Sequence, residues 1–350
     1  MPVKEVCNMK KLLAISLALV MVLTFCACGA NNDADVAVLW SGENDKALVP
    51  NSLINAVDRA MYIENISYAH HAAGGNVERQ MQQLEEALQA GCTGLLVELV
   101  DPAAAQQVVD LAKEKSVPVV FFNCAVDSAV TASYDKCAVV TTDEATLYAT
   151  YGKMIGQSIA DNFEAAAKKP DKTVAFDRNG DGVISYCPVG DVSALAEAVD
   201  AVLTEAGLNK LEAVEGPDMD SVLADHNDSN GNMIELVITS SDEAALNVLA
   251  KLQSIGYNSN RLKTHCIPLF TVGADADASA FTDTSQLKPE ELAVLIYNAM
   301  NLVDAGQVTG TAMEDYDSIA VSAAQFLSAF MKGEAPEAAA AQIPYTIYTK

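Results

Sequence analysis

The feature that most constrains this fold is a series of short, continuous apolar runs that alternate with segments of helical periodicity. Val36–Trp40 and Pro118–Phe122 are two such runs, and neither contains a charged residue. Uninterrupted runs are typical of parallel strands that are covered on both faces, whereas half-exposed strands alternate apolar and polar residues. Between them, Asn76 is placed to cap a helix whose Leu84 and Leu88 share one face. The order strand, helix, strand predicts a parallel sheet with right-handed crossovers.

The alternation continues beyond the first sheet, which predicts a second lobe. Strands are expected at Ile184–Val189, Ile234–Ser240 and Pro268–Val272, each followed or preceded by a helical segment. A chain of 350 residues is also long for a single hydrophobic core. The fold class is therefore α/β, with two Rossmann-like lobes, each built on a parallel sheet, and a ligand cleft between the lobes.

The N-terminal segment has the pattern of an export signal. Met9-Lys10-Lys11 is followed by an apolar run, Leu12–Phe25. This run is shorter than the ~20 residues that a membrane-spanning helix needs, and a positive start before a short apolar middle is typical of secretory signals. Residues 1–27 are therefore predicted to be a signal peptide, and residues 28–35 a polar tether.

Two cysteines at the end of this segment resemble a bacterial lipobox. Cys28 follows a small residue and precedes a glycine, so it is the predicted lipidation site, and Cys26 is the weaker candidate. Cleavage of a plain signal peptide near Ala30 is the alternative. The mature chain is expected to contact the membrane only through this lipid anchor, at the outer face of the cell membrane, or to be periplasmic.

Composition and missing motifs exclude several classes of function. The formal net charge is −26, which disfavours nucleic-acid binding because phosphate backbones are repelled. The cysteines form no C-x-x-C pair, so neither a zinc site nor a thioredoxin motif is indicated. G-x-S-x-G, H-E-x-x-H, Walker and dinucleotide glycine motifs are lacking as well. The sequence therefore favours a binding protein over an enzyme.

A nine-residue motif, 177–185, predicts a calcium site. It matches the pattern D-x-N-x-D-G-x-I-x, in which hard oxygen ligands alternate before a turn glycine. The predicted ligands within it are the side chains of Asp177, Asn179 and Asp181, the carbonyl of Val183, and either the hydroxyl of Ser185 or a water that it bridges. Position 12 is Pro188, where an EF-hand has a bidentate glutamate. The missing ligand is predicted to be Glu212, with Glu215 as the alternative.

Polar residues follow most of the predicted strands. Ligands of open parallel sheets lie beyond the carboxyl ends of the strands. That rule nominates Ser41–Asp45, Val100–Pro102, Asn123, Asp191, Ser240–Asp242 and Gly273–Asp275. The alternative is that these Asp and Asn side chains only cap the helices that follow.

Several longer stretches resemble one known family. Leu99–Ala105, Val117–Asn123, Ser133–Lys136 and the calcium loop are similar to the bacterial galactose/glucose-binding members of the type I periplasmic binding proteins. The resemblance covers residues 35–350. It implies an N-terminal lobe of residues 36–142 and 315–341 and a C-terminal lobe of residues 143–314 and 342–350. It also implies three crossovers between the lobes, with hinges near Thr142, Glu314 and Ala341.

The resemblance implies a sugar site, but this sequence lacks several of the residues that the family uses there. The implied ligand-binding residues are Asp45, Asn123, Asp191, Asp275 and Glu314. The family's His and Arg fall at Val189 and Leu195, its two stacking aromatics have no counterpart, and the segment 282–291 is an insertion. Trp40 is predicted either to replace the stacking platform or to pack in the core. The remaining site is rich in acceptors, which favours a polyol or a cationic ligand.

The function implied by the resemblance is that of a solute-binding lipoprotein of an ABC importer. It is expected to be a monomer that binds Ca²⁺ and delivers a galactose- or glucose-like monosaccharide, or a related polar small molecule, to permease subunits. The alternatives are a sensory protein that presents its ligand to a chemoreceptor and a diverged binder of a non-hexose ligand.

Overall fold

The computed structural model describes residues 35–42, 51–168, 176–177, 180–208, 210–214, 234–258, 266–273, 299–336 and 338–349. Several predictions lie outside these residues: the signal peptide 1–27 with Cys28, most of the tether, Asp45, Asn179, Glu215, Asp275 and the insertion 282–291. Among the residues described, no helix has the length and apolar character needed to cross a membrane.

The first sheet is six-stranded and wholly parallel, as the apolar runs predict. Its order is β11-β5-β4-β3-β1-β2. The strands are β1 (Val36–Trp40), β2 (Tyr68–Ala72), β3 (Gly94–Val97), β4 (Val119–Phe122), β5 (Cys137–Asp143) and β11 (Ala340–Pro344). The helices of this part of the chain are α1 (Asn51–Ile63), α2 (Val77–Ala90), α3 (Ala105–Glu114), α4 (Ser128–Thr131) and α9 (Tyr316–Met331).

Both faces of the first sheet are covered, which explains the continuous apolar runs. Along β1, Val36, Val38 and Trp40 pack in a core formed with α1 and α9. The intervening Ala37 and Leu39 pack in a second core formed with α2 and α3. Because successive side chains of a strand point to opposite faces, every residue of such a strand must be apolar.

The second sheet is also six-stranded, with the order β12-β10-β9-β8-β6-β7. It is parallel except for β12, which pairs antiparallel with β10. The strands are β6 (Val183–Val189), β7 (Lys210–Ala213), β8 (Leu236–Thr239), β9 (Leu269–Val272), β10 (Gly310–Met313) and β12 (Thr346–Thr349). The helices are α5 (Thr146–Ala167), α6 (Ser193–Glu205), α7 (Asp242–Ser254) and α8 (Ala299–Ala305).

Helices α5 and α6 pack unusually closely on one face of the second sheet. A Cβ atom built on Gly152 would lie 2.6 Å from the Ala198 carbonyl oxygen, so this position has no space for a side chain. On this face Tyr151, Ile155 and Ile159 of α5 pack with Val199 and Leu203 of α6. Helix α5 therefore belongs to the second lobe even though it follows β5 directly.

The chain passes between the two sheets three times. It leaves the first sheet after Asp143, returns after Met313 into α9, and leaves again at Tyr345, between β11 and β12. The last boundary predicted from the sequence, between 341 and 342, is too early, because residues 342–344 continue the pairing of β11 with β5. Asp143 likewise belongs to the first sheet and not to the second lobe.

Candidate functional site

A carboxylate bridges the carboxyl ends of three adjacent strands in the first lobe. Glu98 directly follows β3, Ser41 follows β1 and Asn123 follows β4. The Ser41 backbone N–H and hydroxyl donate to Glu98 Oε2 over 3.1 and 2.7 Å. The Asn123 side-chain amide donates from Nδ2 to Glu98 Oε1 over 2.7 Å. Glu98 thus links Ser41 and Asn123, two of the polar positions that the strand-end rule nominated.

Glu98 was not predicted as a site residue, because the apolar run Gly94–Val100 that contains it is expected from the sequence to be one continuous strand. The buried side chain of Gln80 ends the strand at Val97. Its Nε2 donates to the Glu98 carbonyl over 2.8 Å, and its Oε1 accepts from the Val100 backbone N–H over 3.0 Å. A sequence signal was available, because Glu98 is the only charged residue within Gly94–Val100.

The backbone after β4 is shaped to bring Asn123 to this edge. Asn123 has φ 50°, in the left-handed region that asparagine tolerates better than most residues. Its backbone N–H donates to the Val140 carbonyl over 3.0 Å, which fixes the turn against β5. The next residue, Cys124, is partly buried, and burial, assisted by the Glu98 charge, raises the pKa of its thiol to about 11. The thiol is therefore protonated at neutral pH and is not a nucleophile.

Trp40 lies inside the first lobe. Its side chain is only 1% exposed, packs edge-on against Phe122, and donates its indole N–H to His70 Nδ1 over 2.9 Å. Since Nδ1 accepts, His70 Nε2 carries the hydrogen and donates to Asp58 over 2.9 Å. This burial supports the core-packing interpretation of Trp40 and leaves no ring face for ligand stacking.

The second lobe also places polar residues at its strand ends. Gly190 follows β6 with φ 83°, and a Cβ atom there would lie 2.0 Å from Ser240 Oγ, after β8. Asp191 is exposed and accepts from the Ser193 hydroxyl over 2.7 Å at the start of α6. Asp242 is buried at the start of α7 and accepts from the Thr271 hydroxyl over 3.4 Å. The structure thus places Gly190, the residue before Asp191, close to Ser240, while Asp191 itself contacts Ser193.

Glu314 lies at a crossover, where its two oxygens are bound by hydroxyl groups of the chain itself. Oε1 accepts from Thr142 over 2.6 Å and Oε2 from Tyr316 over 2.7 Å. Tyr345 lies at the third crossover, and its backbone N–H donates to the Thr146 hydroxyl over 2.9 Å. Burial, with the charges of Glu314 and Glu144, raises the pKa of Tyr345 above its ordinary value.

The described residues of the predicted calcium loop, Asp177 and 180–185, lead into β6. Gly182 has φ 89°, and its N–H donates to Asp177 Oδ1 over 3.3 Å. The Val183 N–H donates to Asp181 Oδ1 over 2.9 Å. Backbone N–H groups of this segment therefore donate to two carboxylates, those of Asp177 and Asp181. Among the described residues, no group of three or more His, Cys, Asp or Glu side chains is close enough to hold a metal ion.

Two glutamates flank Ser185 on the neighbouring strands. Glu212, on β7, is in register with Ser185 and is exposed. Glu235 immediately precedes β8, is 1% exposed, and accepts from the Ser185 N–H at Oε2 over 3.3 Å. Sequence reasoning considered Glu212 and Glu215 and missed Glu235, although a lone glutamate before an apolar strand is visible in the sequence.

Among the described residues, the charged side chains that directly follow a strand are all acidic. In the part of the chain that the structure describes, no Lys, Arg or His lies within two residues after the carboxyl end of any strand. The acidic residues in these positions are Glu98, Glu144, Asp191, Glu314 and Asp315. Such an edge is suited to hydrogen-bond donors and is unfavourable for anions.

Solved structures share this fold. A solute-binding protein of an ABC transporter from Bacillus halodurans, with bound myo-inositol, aligns at 16% identity and a TM-score of 0.50, covering 91% of this chain and 96% of that one. The periplasmic binding component of the arabinose ABC transporter from Shewanella aligns at 14% identity and a TM-score of 0.51, covering 90% and 91%. At these identities the likeness establishes the type I periplasmic binding protein fold.

Sequence comparison extends this likeness to a family. The D-galactose/methyl-galactoside binding periplasmic protein of Haemophilus influenzae is 27% identical over 249 residues. The match covers 67% of this chain, and the chain spans about 63% of the length of that relative. The model of the periplasmic binding protein domain matches residues 51–335, most of both lobes. The chain therefore belongs to the family of periplasmic binding protein domains.

Proposed function

We propose that this chain is the extracytoplasmic solute-binding component of an ABC importer and that it binds a monosaccharide or a related polyhydroxylated molecule between its lobes. The observation that carries this proposal is the polar cluster of Ser41, Glu98 and Asn123, set at the carboxyl edge of a parallel sheet. That edge is where ligands of open α/β sheets bind. The family membership and the missing catalytic motifs support binding without chemistry.

The known relatives support the class of ligand. The Haemophilus relative is named for galactose and methyl-galactoside, and the two solved structures hold myo-inositol and L-arabinofuranose. All of these are neutral molecules with several hydroxyl groups. The acidic strand ends of this chain supply the acceptors that such hydroxyls require. A galactose- or glucose-like hexose is one member of this class, and a pentose or a cyclitol is equally compatible.

Binding is proposed to close the two lobes about the crossovers. Asn123 is proposed to contact the ligand from the first lobe and Asp191 from the second. Asp45 and Asp275 are proposed as further ligand-binding residues. A ligand that contacts both lobes favours the closed state, because only that state offers all of the contacts. The closed form of the binding protein is proposed to be the one that the permease recognises, and the permease is the proposed partner.

A structural calcium ion is proposed for the loop at 177–185. Asp177 and Asp181 place carboxylates in the turn, and Ca²⁺ prefers such oxygen ligands. We propose Glu235 as the distant carboxylate, because it is buried beside Ser185, whereas Glu212 is exposed. Calcium would have to draw Glu235 and the loop carboxylates closer together than they lie in this structure, where no three such groups among the described residues are close enough to hold a metal ion. A buried carboxylate next to a loop of oxygen ligands is more favourable when a cation shares its site. The ion would stiffen the start of β6 and take no part in ligand chemistry.

The N-terminal segment is proposed to export the chain and to anchor it through a lipid on Cys28. Metabolic labelling with a fatty-acid analogue tests this step: wild type should incorporate the label and Cys28→Ala should not. Labelling of Cys28→Ala would move the anchor to another residue.

The binding proposal is tested by a thermal-unfolding screen of the purified mature chain. The probes are D-galactose, D-glucose, D-ribose, L-arabinose and myo-inositol, with a sugar acid and a sugar phosphate as anionic comparisons. At least one neutral probe should raise the melting temperature, because it binds only the folded state. Calorimetry then gives its affinity, and small-angle scattering should show a more compact chain when it is bound. If no neutral probe changes either quantity, the proposed function is wrong.

A further inference from the structure

We infer that Glu98 is a positioning residue, which holds the Asn123 amide so that its oxygen, and not its nitrogen, is presented to the ligand. The inference rests on the proposed function, since it concerns the same strand-end site. Glu98 is not among the ligand-binding residues predicted from the sequence. The inference also specifies which kind of group the ligand must offer to Asn123.

Glu98 is fully engaged by donors that the fold supplies. Ser41 occupies Oε2 with two donors, its backbone N–H at 3.1 Å and its hydroxyl at 2.7 Å. Oε1 faces Asn123 Nδ2 at 2.7 Å. The backbone of Glu98 is fixed as well, because the Gln80 amide donates to its carbonyl and its N–H donates to the Leu39 carbonyl. The carboxylate is therefore held in place on both sides.

This arrangement permits only one orientation of the Asn123 amide. An ionised carboxylate accepts hydrogen bonds but donates none. If the amide rotated by half a turn, its oxygen would lie against Oε1, and two acceptors would meet at hydrogen-bond distance. A half-buried acceptor that loses its donor is destabilised, because the loss of its hydration is no longer compensated. The amide nitrogen must therefore face Glu98.

The other atom of the amide is left for a ligand. Asn123 is half-buried, and its Oδ1 makes no hydrogen bond to any residue that the structure describes. A free asparagine offers either a donor or an acceptor, according to which way it turns. With Glu98 behind it, Asn123 offers an acceptor only. The ligand must donate at this point, through a hydroxyl or an ammonium group.

The specificity that follows is for neutral or cationic polyhydroxylated molecules. A carboxylate or a phosphate at this point would face Asn123 Oδ1 with Glu98 behind it, and no Lys, Arg or His among the described strand-end residues would compensate. An ether or a methoxy group would also leave Oδ1 without a partner. Sugar acids and sugar phosphates are therefore rejected by the same contact that accepts a sugar hydroxyl.

Two single variants and their combination test the inference. Glu98→Gln supplies an amide of the same size. Its oxygen can accept from Ser41, so that its nitrogen donates to Asn123 and forces that amide to turn round. Asn123→Asp removes the donor and places two carboxylates against each other. In the double variant Glu98→Gln/Asn123→Asp the amide and the carboxylate exchange places, the hydrogen bond is restored, and an acceptor again faces the ligand.

The probe is whichever of D-galactose, D-glucose, D-ribose, L-arabinose and myo-inositol binds wild type most tightly by calorimetry. Each single variant should weaken binding about tenfold or more, and the double variant should recover to within about threefold of wild type. Glu85→Gln, the same change on the exposed face of α2, is the control and should bind as wild type does. A merely structural role would make the double variant at least as weak as the weaker single variant. That result, or wild-type affinity in Glu98→Gln, would overturn the inference.

A ligand-free measurement keeps this test separate from the binding proposal. In ¹⁵N-labelled wild type, the Asn123 side-chain amide should show one proton that is shifted downfield and protected from exchange, because it is bonded to a carboxylate. Glu98→Ala should remove both properties. If this signal is present and no probe binds, the proposed function has failed while the positioning geometry stands. If the signal is lacking in wild type, the positioning inference is wrong whatever the probes do.

Discussion

The Thr142 hydroxyl donates to Glu314 Oε1 over 2.6 Å and joins two segments that lie 172 residues apart in the sequence. Thr142 is near the end of β5, the last strand before the chain leaves the first lobe. Glu314 follows β10, at the point where the chain returns. The bond therefore ties the first crossover to the second. Any rotation of one lobe against the other must keep this contact or break it.

We expect Thr142→Val to lower the free energy of unfolding by about 1–3 kcal/mol, because it removes the donor while leaving the Glu314 acceptor half-buried. Denaturation in urea measures the change. Thr141→Val is the matched control, since the Thr141 hydroxyl makes no side-chain hydrogen bond to the described residues. Equal effects of the two substitutions would show that the bond contributes nothing specific.

The sequence predicted the architecture well because the fold depends on local patterns. The apolar runs of β1 and β4 reflect two covered faces, and the structure confirms the two parallel-sheet lobes. Positions near Thr142 and Glu314 were also expected at crossovers, and the strands do change sheets there. The third crossover was misplaced because the end of β11 has no turn residue before Pro344 and continues in register with β5.

The contents of the site could not be read from the sequence in the same way. Glu98 is a site residue because a side chain from α2, Gln80, ends β3 early, and that contact spans 18 residues. Glu235 lies beside Ser185 because β8 pairs with β6, a contact over 50 residues. Trp40 ends the first strand in the sequence, but the cover of α1 and His70 hides its ring. Each of these depends on which strands become neighbours, and single-sequence patterns do not specify that.

Removing calcium should lower the melting temperature of the mature chain. An ion bound only by the folded state stabilises it by about 2.7 kcal/mol when its concentration is one hundred times its dissociation constant. Unfolding curves recorded with excess Ca²⁺ and with EGTA measure this difference. An identical curve in both conditions would contradict the calcium proposal.

The identity of the distant calcium ligand is tested by two matched substitutions. Glu235→Gln should abolish the difference between the Ca²⁺ and EGTA curves, because it removes the buried carboxylate beside Ser185. Glu212→Gln should retain the difference, since Glu212 is exposed on β7. The opposite pattern would restore Glu212 as the ligand predicted from the sequence.

Gly190→Ala should destabilise the second lobe at the candidate site. The added Cβ would lie 2.0 Å from Ser240 Oγ, and the backbone has φ 83°, which costs a non-glycine residue about 1–2 kcal/mol. Gly207→Ala is the control, because it has φ 68° but nothing within 4 Å of the added atom. We expect the melting temperature to fall more for Gly190→Ala than for Gly207→Ala. Similar losses would mean that Ser240 moves aside without cost.

Acid should destabilise the first lobe through His71. Burial, with a smaller effect from the neighbouring His70, lowers the pKa of His71 below its ordinary value of 6.5, against an opposing attraction from Glu86. The unfolded chain therefore binds a proton at a higher pH than the folded chain does. The stability that His71 contributes is present above about pH 6.5 and is lost as the pH falls through that value toward the lower folded pKa.

This dependence is measured by comparing wild type with His71→Gln, which does not titrate. Between about pH 7 and pH 5 most carboxylates remain ionised, so the melting temperature of wild type should fall more steeply than that of His71→Gln. Curves that stay parallel over this range would show that His71 protonates equally easily in the folded and unfolded chains, which contradicts the effect attributed to its burial.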